Sequence, residues 1–401
     1  MVITIIADVL GKPNNGTTLA ALNLIDSLKS KGHDVRVLCC DKTYADQEGY
    51  HIIPTLNFGI FQGYVKKNGV QIAKVDHATL KEAIDGADIV HSILPFSAGR
   101  AAARYCLEHN IPFTSGFHAQ AENLSSHVFM MNFPLANSTI YRNFWKHYFR
   151  FCDAIHYPTS FIRDYVKRYM GGPAAYAISN GVDAELFNPR LKFDKPAEWK
   201  DKFVVVMSGR YSTEKKQMLL LKAALMSKHK DKLQIVLAGS GPKEKKLQKF
   251  VDRHMKKNPA LLKSYKHEEL NQLLGCADLY VHTSLIEIEA ISCLEALSCG
   301  LVPVISNSPR SATSRFALRP ESHFSYRSAR DLARKIDWWI DHPEERAKAS
   351  VQYSEFAKQF EIHSCMDRME QMLIETRKNF TGEKPWLNRK GKLKKSQAEA
   401  L

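Results

Sequence analysis

Short apolar runs that alternate with longer segments of helical period constrain the fold of this sequence more than any other feature. The runs span residues 2–9, 35–40, 89–94, 203–208, 235–239, 279–282 and 302–306. Strands that are apolar on both faces and are connected by helices form parallel sheets with helices packed on each side. The alternation therefore predicts the α/β class with doubly wound, Rossmann-like sheets.

A break in this alternation predicts two domains. Residues 188–201 are charged, contain prolines and have no clear period, so we interpret them as a linker. A chain of 401 residues suits two domains, expected at residues 1–187 and 202–360. We expect them to face each other across a cleft that holds the chemistry, because such sheets bind ligands at the carboxyl ends of their strands. A C-terminal helix is expected at 361–380, with a return to the first domain as one option, followed by a mobile basic tail at 381–401.

The net charge of +15 and the cysteine pattern narrow the partners and the compartment. A strongly basic chain suits a polyanion, which can be a nucleic acid, an anionic membrane surface or a phosphorylated substrate. No nucleic-acid-binding motif is visible in the sequence, so we expect no nucleic acid partner. No apolar stretch is long enough to span a bilayer, and the first residues predict a buried strand and not a signal peptide. The eight cysteines lie in apolar runs without a CxxC pair, which predicts reduced thiols, a cytosolic location and no metal site.

The segment from Glu287 to Glu295 is the strongest local signal for chemistry. It follows an apolar run and is expected to open a helix that continues to about Gly300. The amino end of a helix offers unpaired N–H groups to phosphate or sugar oxygens, and carboxylates accept hydrogen bonds from vicinal diols. This arrangement suits a nucleotide sugar. The alternative is an ordinary amphipathic helix with acidic residues in its first turn.

Two cations follow another of the predicted strands. Gly209, Arg210 and Lys215 lie in one short loop and the helix start after it. Cleavage of a nucleotide sugar leaves a diphosphate, and preorganised positive charge directed at that leaving group lowers the barrier. Arg210 and Lys215 are candidates for this task, and the alternative is that both are solvated surface residues.

Two glycine-containing loops and one histidine complete the candidate residues. One loop runs from Gly11 to Gly16 after the first apolar run, and Gly239 opens a second loop of sequence Gly-Ser-Gly-Pro. Glycines let a backbone approach a ligand closely, but neither loop has the full dinucleotide fingerprint, so dehydrogenase chemistry is poorly supported. His118 is expected at the carboxyl end of a strand, facing the cleft, although a lone histidine is more often structural.

Taken in order along the chain, these segments resemble the family 4 glycosyltransferases of GT-B fold. The resemblance spans roughly residues 1–375, and its segments are Asn180–Asp183, Gly209–Arg210, Glu214–Lys215, Gly239–Pro242, Ala277–Asp278, the pair Glu287 and Glu295, and residues 300–305. It implies a retaining hexosyltransferase that takes its sugar from a nucleotide-sugar donor and needs no metal or other cofactor.

A closer resemblance, to bacterial 1,2-diacylglycerol 3-glucosyltransferases, is carried by residues 117–123, 291–296 and 308–313. It implies that Glu287 contacts donor-sugar hydroxyls, that Arg210 and Lys215 contact the diphosphate, and that His118 contacts the sugar near the reacting carbon. The implied donor-binding residues are Gly16 through its backbone, Glu295 at the ribose, and Gly209, Gly239, Ile291 and Ser292.

Two positions depart from the pattern of the family. Lys216 stands where relatives have glycine after the cation, and Ala290 stands where many relatives have glycine after the first glutamate. A methyl group at Ala290 limits how closely the backbone can approach the sugar, and Glu289 adds a carboxylate nearby. The identity of the sugar is therefore left open.

Residues 140–152 place a basic stripe beside an aromatic one. Arg142, Lys146 and Arg150 recur at four-residue spacing, and Trp145 lies among the neighbouring aromatic residues. Such a helix can lie in a membrane interface, with aromatic rings at headgroup level and cations on anionic lipid. The alternative is a core-packed helix with buried aromatics and solvated cations. The resemblance to enzymes with a lipid acceptor favours the interface.

The sequence therefore predicts an enzyme that passes a hexose, expected to be glucose, from its UDP derivative to a diacylglycerol-like lipid at the cytosolic membrane face. Its expected partners are the nucleotide-sugar donor, the lipid acceptor and an anionic membrane surface. A soluble or polysaccharide acceptor is the alternative for an enzyme. A non-catalytic basic binding protein is the alternative of a different class.

Overall fold

A computed structural model describes residues 1–8, 10, 16–57, 59, 72–126 and 130–387 of the chain. Most of the glycine-containing loop predicted at residues 11–16, and residues 388–401 of the predicted tail, lie outside this description.

The chain forms two compact units. The first contains residues 1–180 and the chain from Cys365 onward, and the second contains residues 181–364. The boundary therefore falls at Asn180–Gly181, and residues 188–201, which we interpreted as a linker, belong to the second unit.

The first unit is built on a seven-stranded sheet with the order β3-β2-β1-β4-β5-β6-β7, in which every pairing is parallel. Its strands are β1 (Val2–Ala7), β2 (Asp34–Cys39), β3 (Tyr50–Ile52), β4 (Ile89–Ser92), β5 (Phe113–Gly116), β6 (Ala154–Tyr157) and β7 (Ala174–Ala177). Its helices include α1 (Gly16–Ser30), α2 (His77–Ile84), α3 (Ser97–His109), α4 (Ala121–Ser126), α5 (Pro134–His147) and α6 (Ser160–Val166).

The second unit repeats this plan around a six-stranded parallel sheet with the order β10-β9-β8-β11-β12-β13. Its strands are β8 (Phe203–Ser208), β9 (Leu233–Ala238), β10 (Leu261–Lys263), β11 (Leu279–His282), β12 (Pro303–Ser306) and β13 (His323–Phe324). Its helices are α7 (Gln217–Met226), α8 (Glu244–His254), α9 (His267–Cys276), α10 (Ile291–Ser298), α11 (Ala329–Asp341) and α12 (Pro343–Ala357), and α13 (Ile362–Lys378) follows.

The expected pair of Rossmann-like parallel sheets is thus confirmed. Each apolar run predicted from the sequence overlaps a strand, because strands buried on both faces are rich in apolar residues. In each sheet the strand order reverses beside the first strand, between β1 and β4 and between β8 and β11. Ligands of doubly wound sheets bind outside the carboxyl ends of strands at such reversal points.

More residues of the C-terminal segment pack on the first unit than the sequence predicts. Helix α13 contributes Glu370, which pairs with Lys31 at 2.8 Å. Beyond it, Lys384 pairs with Asp153 at 2.5 Å, and the indole N–H of Trp386 donates to the carbonyl oxygen of Arg150 at 2.8 Å. The prediction of a mobile tail from residue 381 is therefore wrong for residues 381–387, because one tryptophan and one buried ion pair fix a segment whose composition is otherwise polar.

Candidate functional site

The two strands that flank the reversal point of the second sheet carry an ion pair at their carboxyl ends. Lys215 follows β8, Glu287 follows β11, and Nζ of the lysine lies 2.5 Å from Oε1 of the glutamate. Both side chains are largely buried, with exposed fractions of 17% and 10%. The structure therefore brings together two of the predicted site residues that are 72 positions apart in the chain.

The backbone of Glu287 is fixed before helix α10 begins. Its N–H donates to the carbonyl oxygen of Arg310, and its own carbonyl oxygen accepts from the N–H of Ala312. The sequence predicted that Glu287 opens a helix. Helix α10 begins only at Ile291, and Glu287 lies before it in a short segment that is bridged to Ser311. Burial would raise the pKa of this carboxyl, but Lys215 and His282 lower it to about 2, so the group is ionised at neutral pH.

His282, the last residue of β11, was not among the predicted site residues. Its Nε2 lies 3.1 Å from Oε1 of Glu287, and the ring is completely buried. Burial lowers the pKa of this imidazole, so it is neutral and donates one hydrogen bond to the carboxylate. In the sequence, His282 is visible only as a histidine at the end of an apolar run. Its contact with Glu287 cannot be inferred without the position of the loop that follows.

The loops after β8 and β9 pack backbone against backbone. The N–H of Gly209 donates to Ala238, and the N–H of Tyr211 donates to Ser240. A Cβ atom on Gly239 would overlap the carbonyl oxygen of Gly209. We attributed the glycine of this loop to close approach by a ligand, whereas the structure shows that the neighbouring loop already requires it.

Two residues of the second unit other than glycine have left-handed backbone conformations, and they are the positions where the sequence departs from the family pattern. Lys216 (φ 57°) precedes α7, and Ala290 (φ 72°) precedes α10. This conformation costs an L-residue roughly 1–2 kcal/mol relative to glycine. Burial lowers the pKa of Lys216, and the charges of Lys243 and Arg310 lower it further, so cations are concentrated at this edge of the sheet.

Glu295, the second glutamate of the motif, is paired with a histidine from another helix. Its Oε1 lies 2.9 Å from Nε2 of His267, the first residue of α9. The hydrogen bond to Glu295 raises the pKa of His267. Two further residues predicted to bind the donor, Ile291 and Ser292, lie in the first turn of α10. Ile291 is buried, and the hydroxyl of Ser292 lies 3.4 Å from that of Tyr280.

The predicted residues Gly16 and His118 belong to the first unit. Gly16 is the first residue of α1, and His118 follows β5 by two residues. The side chain of His118 lies against Gly116, where a Cβ atom would overlap its ring, and its ring centroid is 5.5 Å from that of His156. Burial, reinforced by His156 and His91, holds the pKa of His118 well below its usual range, so the imidazole is neutral.

The aromatic side of the predicted interface helix is packed inside the first unit. Helix α5 spans residues 134–147, and Trp145 is only 3% exposed. The expectation that Trp145 meets a membrane is therefore wrong, because the ring packs into the core of the unit. Arg142 and Lys146 are exposed, as either interpretation requires, while Arg150 is half-buried and its guanidinium stacks on the ring of Phe151.

Exposed apolar residues lie at the other end of the same helix. Phe133 is 52% exposed and Leu135 is 67% exposed, and Met130, just before them, is 40% exposed. No helix in the described ranges is both long enough and apolar enough to cross a membrane. Regular spacing in the sequence does not reveal this patch, because its residues surround the start of the helix and do not recur along one face.

Comparisons with known proteins match both halves of the chain to sugar-transferring families. Residues 14–186 match the family described as Glycosyltransferase Family 4, and residues 190–356 match Glycosyl transferases group 1. In fold, the chain is similar to Anabaena Alr3699/HepE in complex with UDP and glucose, with a TM-score of 0.72 and 16% identity over 94% of this chain and all of that one. That likeness shows a shared fold, which is GT-B.

Two sequence relatives differ in how much they cover. The phosphatidylinositol N-acetylglucosaminyltransferase GPI3 subunit of Saccharomyces cerevisiae is 36% identical over 132 residues, which is 32% of this chain and 29% of that protein. The chain thus spans less than a third of the length of this yeast relative. The alpha-monoglucosyldiacylglycerol synthase of Streptococcus pneumoniae is 23% identical over 313 residues, covering 73% of this chain and 68% of that one.

Proposed function

Because the chain belongs to the family 4 glycosyltransferases of GT-B fold, we propose that it is a retaining enzyme that transfers a hexose from a UDP-sugar to a diacylglycerol-like lipid. Glucose is the proposed sugar, and the cytosolic face of the membrane is the proposed place of action. The ion pair between Lys215 and Glu287 at the reversal point of the second sheet is the observation that carries the proposal.

The donor half of the proposal rests on the distribution of charge at this edge. A nucleoside diphosphate sugar presents an anionic diphosphate beside neutral hydroxyl groups. Lys215 and Arg210 supply positive charge for the diphosphate, and Glu287, ionised with its pKa of about 2, accepts hydrogen bonds from sugar hydroxyls. Glu295 and the first turn of α10 complete the donor site at the ribose.

The acceptor half rests on the surface of α5. Exposed Phe133 and Leu135 lie at its start, and exposed Arg142 and Lys146 lie further along the same helix. Apolar side chains that are exposed next to cations suit the boundary between acyl chains and anionic headgroups. The lipid-synthesising relative from Streptococcus pneumoniae supports an acceptor of this class.

The direct test of the proposed function is a product assay. The purified protein would be incubated with a panel of UDP- and GDP-sugars and with vesicles that contain diacylglycerol, and products would be identified by mass spectrometry. We expect a hexosyl-diacylglycerol from a UDP-hexose. NMR of the product should show that the anomeric configuration of the donor is retained. Transfer only to soluble sugars or polysaccharide would replace the acceptor proposal, and no transfer with any donor would overturn the function.

Activity is expected to survive chelation of divalent cations. Arg210 and Lys215 supply the positive charge that other sugar transferases obtain from a metal ion bound to the diphosphate. The initial rate with 5-minute preincubation in excess EDTA, on the order of 10 mM, should therefore remain within about twofold of the untreated rate. Loss of turnover in EDTA that Mg²⁺ or Mn²⁺ restores would contradict this assignment of the leaving-group chemistry.

Binding to anionic vesicles is expected to depend on the exposed face of α5 and on salt. Each cation near an anionic surface contributes about 1 kcal/mol, so Arg142→Gln/Lys146→Gln should weaken partitioning by up to roughly 30-fold. Phe133→Ser/Leu135→Ser should weaken it as well, by removing the apolar contact. Vesicle flotation at low and high ionic strength measures both effects, because the electrostatic part is screened over a Debye length of about 10 Å at 0.1 M salt.

A charge-matched variant distinguishes the effect of the α5 surface on vesicle binding from the effect of the net charge of the protein. Arg330→Gln/Arg334→Gln removes two cations from α11 of the second unit, whose side chains are also exposed. We expect this variant to float as the unchanged protein does. Equal flotation of all four proteins would mean that the face of α5 is merely solvated and would favour a soluble acceptor.

A further inference from the structure

A chain of polar side chains leads from the interior of the second unit to Glu287. Nε2 of His282 lies 3.1 Å from Oε1 of Glu287, and Nδ1 lies 3.3 Å from the hydroxyl of Tyr280. Since a carboxylate can only accept, Nε2 carries the ring proton, and Nδ1 accepts from Tyr280. That hydroxyl also lies 3.2 Å from the hydroxyl of Ser208 and 3.4 Å from that of Ser292, so the imidazole is held between Glu287 and Tyr280.

Both donors to Glu287 reach the same carboxylate oxygen. Lys215 contacts Oε1 at 2.5 Å, and His282 contacts that oxygen at 3.1 Å. Within the described ranges of the chain, no hydrogen bond reaches Oε2. Because Oε1 is held from two sides, Oε2 has a fixed direction and can accept a hydrogen bond from a ligand hydroxyl.

A bound nucleotide sugar would affect the hydrogen bonds from Lys215 and from His282 to Glu287 differently. Lys215 is on a flexible stem, and the diphosphate of the ligand would compete for its ammonium group. Loss of the counter-charge from a buried carboxylate is strongly destabilising, and a remaining hydrogen bond to the carboxylate reduces that cost. His282 is rigid and completely buried, so its contact with Glu287 does not depend on the position of Lys215.

We propose that His282 is a positioning residue, which holds the Glu287 carboxylate in the orientation that accepts the hydroxyl groups of the donor sugar. It keeps this hold when Lys215 turns to the diphosphate. The inference rests on the donor half of the proposed function. It predicts that His282 matters for the sugar of the donor and not for the nucleotide.

Calorimetric titration of the full-length protein with UDP and with UDP-glucose tests this division. His282→Leu removes the donor to Glu287 and should raise the Kd for UDP-glucose roughly tenfold, the effect expected for a lost hydrogen bond to a charged group. The Kd for UDP should change less than about twofold, because UDP has no sugar to meet Glu287. His282→Gln places an amide N–H near the position of Nε2 and should recover most of the affinity.

A histidine elsewhere in the second unit is the matched control. Nε2 of His229 lies 2.8 Å from Asp341 of α11, so His229→Gln alters another histidine–carboxylate pair. This variant should bind both ligands as the unchanged protein does. If His282→Leu does not fold, His282→Asn serves in its place, since the shorter amide cannot reach Oε1, and it should weaken UDP-glucose alone.

The outcomes separate the positioning role from the function on which it rests. An equal loss of UDP and UDP-glucose binding in the His282→Leu or His282→Asn variant, or no loss of either, overturns the positioning role. Glu287→Gln identifies the level of failure. If it weakens UDP-glucose and the His282 variants do not, only the positioning role fails; if it binds UDP-glucose normally, the proposed contact between Glu287 and the sugar fails as well.

Discussion

Replacing Lys215 by methionine is expected to lower kcat by roughly 10²- to 10³-fold, the loss typical of removing one preorganised charge-stabilising group. Nζ of Lys215 is held at the reversal point of the second sheet by its 2.5 Å contact with Glu287. A cation in a largely buried position stabilises the departing diphosphate more than a solvated one, because electrostatic interactions are stronger where water is excluded. Steady-state kinetics with the donor and acceptor found in the product assay measure the effect.

The same substitution leaves Glu287 without its cation, so a second variant is needed to separate the two consequences. In Lys215→Met/Glu287→Gln the uncompensated charge is absent, and we expect thermal stability to return while kcat stays low. Lys222→Met, at an exposed position of α7, is the control that should leave kcat unchanged. If the single Lys215→Met variant keeps its kcat within about threefold, Lys215 is only a counterion and the leaving-group assignment is wrong.

Replacing Gly239 by alanine is expected to destabilise the second unit by roughly 3 kcal/mol, the upper part of the range for overpacking in a close-packed region. The added methyl would overlap the carbonyl oxygen of Gly209, and that oxygen belongs to backbone, which cannot move aside as a side chain can. For a unit of this size, such a loss lowers the transition temperature by about 6 to 12 °C in scanning calorimetry.

Gly171→Ala is the matched control for this prediction. Gly171 has no heavy atom within 4 Å of the position that a Cβ would take, so its substitution should change stability by less than about 0.5 kcal/mol. Equal transition temperatures for the two variants would show that the loops after β8 and β9 do not need their close contact.

The fold could be predicted further than the site. The apolar runs located the strands β1, β2, β4, β8, β9, β11 and β12, because strands buried on both faces are predominantly apolar. The placement of His118 after a strand also anticipated β5, whereas β7 and β13 escaped prediction. Edge strand β7 reads Ala-Ala-Tyr-Ala and is half exposed, and β13 has two residues, so neither produces an apolar run.

At the site, the sequence identified the charged residues but not their partners. Glu287, Glu295 and Lys215 follow from the order of motifs, while His282 and His267 do not, since each pairs with a glutamate from a different element. On α5, Arg142 and Lys146 are exposed, whereas Arg150, the third cation of the predicted stripe, lies beyond the end of the helix and is half-buried. The four-residue spacing of these cations could not show that Trp145 lies on the side that packs inward.

The sequence by itself determined the two parallel sheets and the identity of the residues at the carboxyl ends of their strands, because apolar runs and helical periods are local patterns. Only the tertiary structure decided which side chains meet: the pairing of Lys215 with Glu287 joins residues 72 positions apart, and that of Lys384 with Asp153 joins residues 231 apart. Such contacts depend on the order in which strands lie in a sheet and on the face that each helix buries. These are properties of packing between elements, and no window of neighbouring residues contains them.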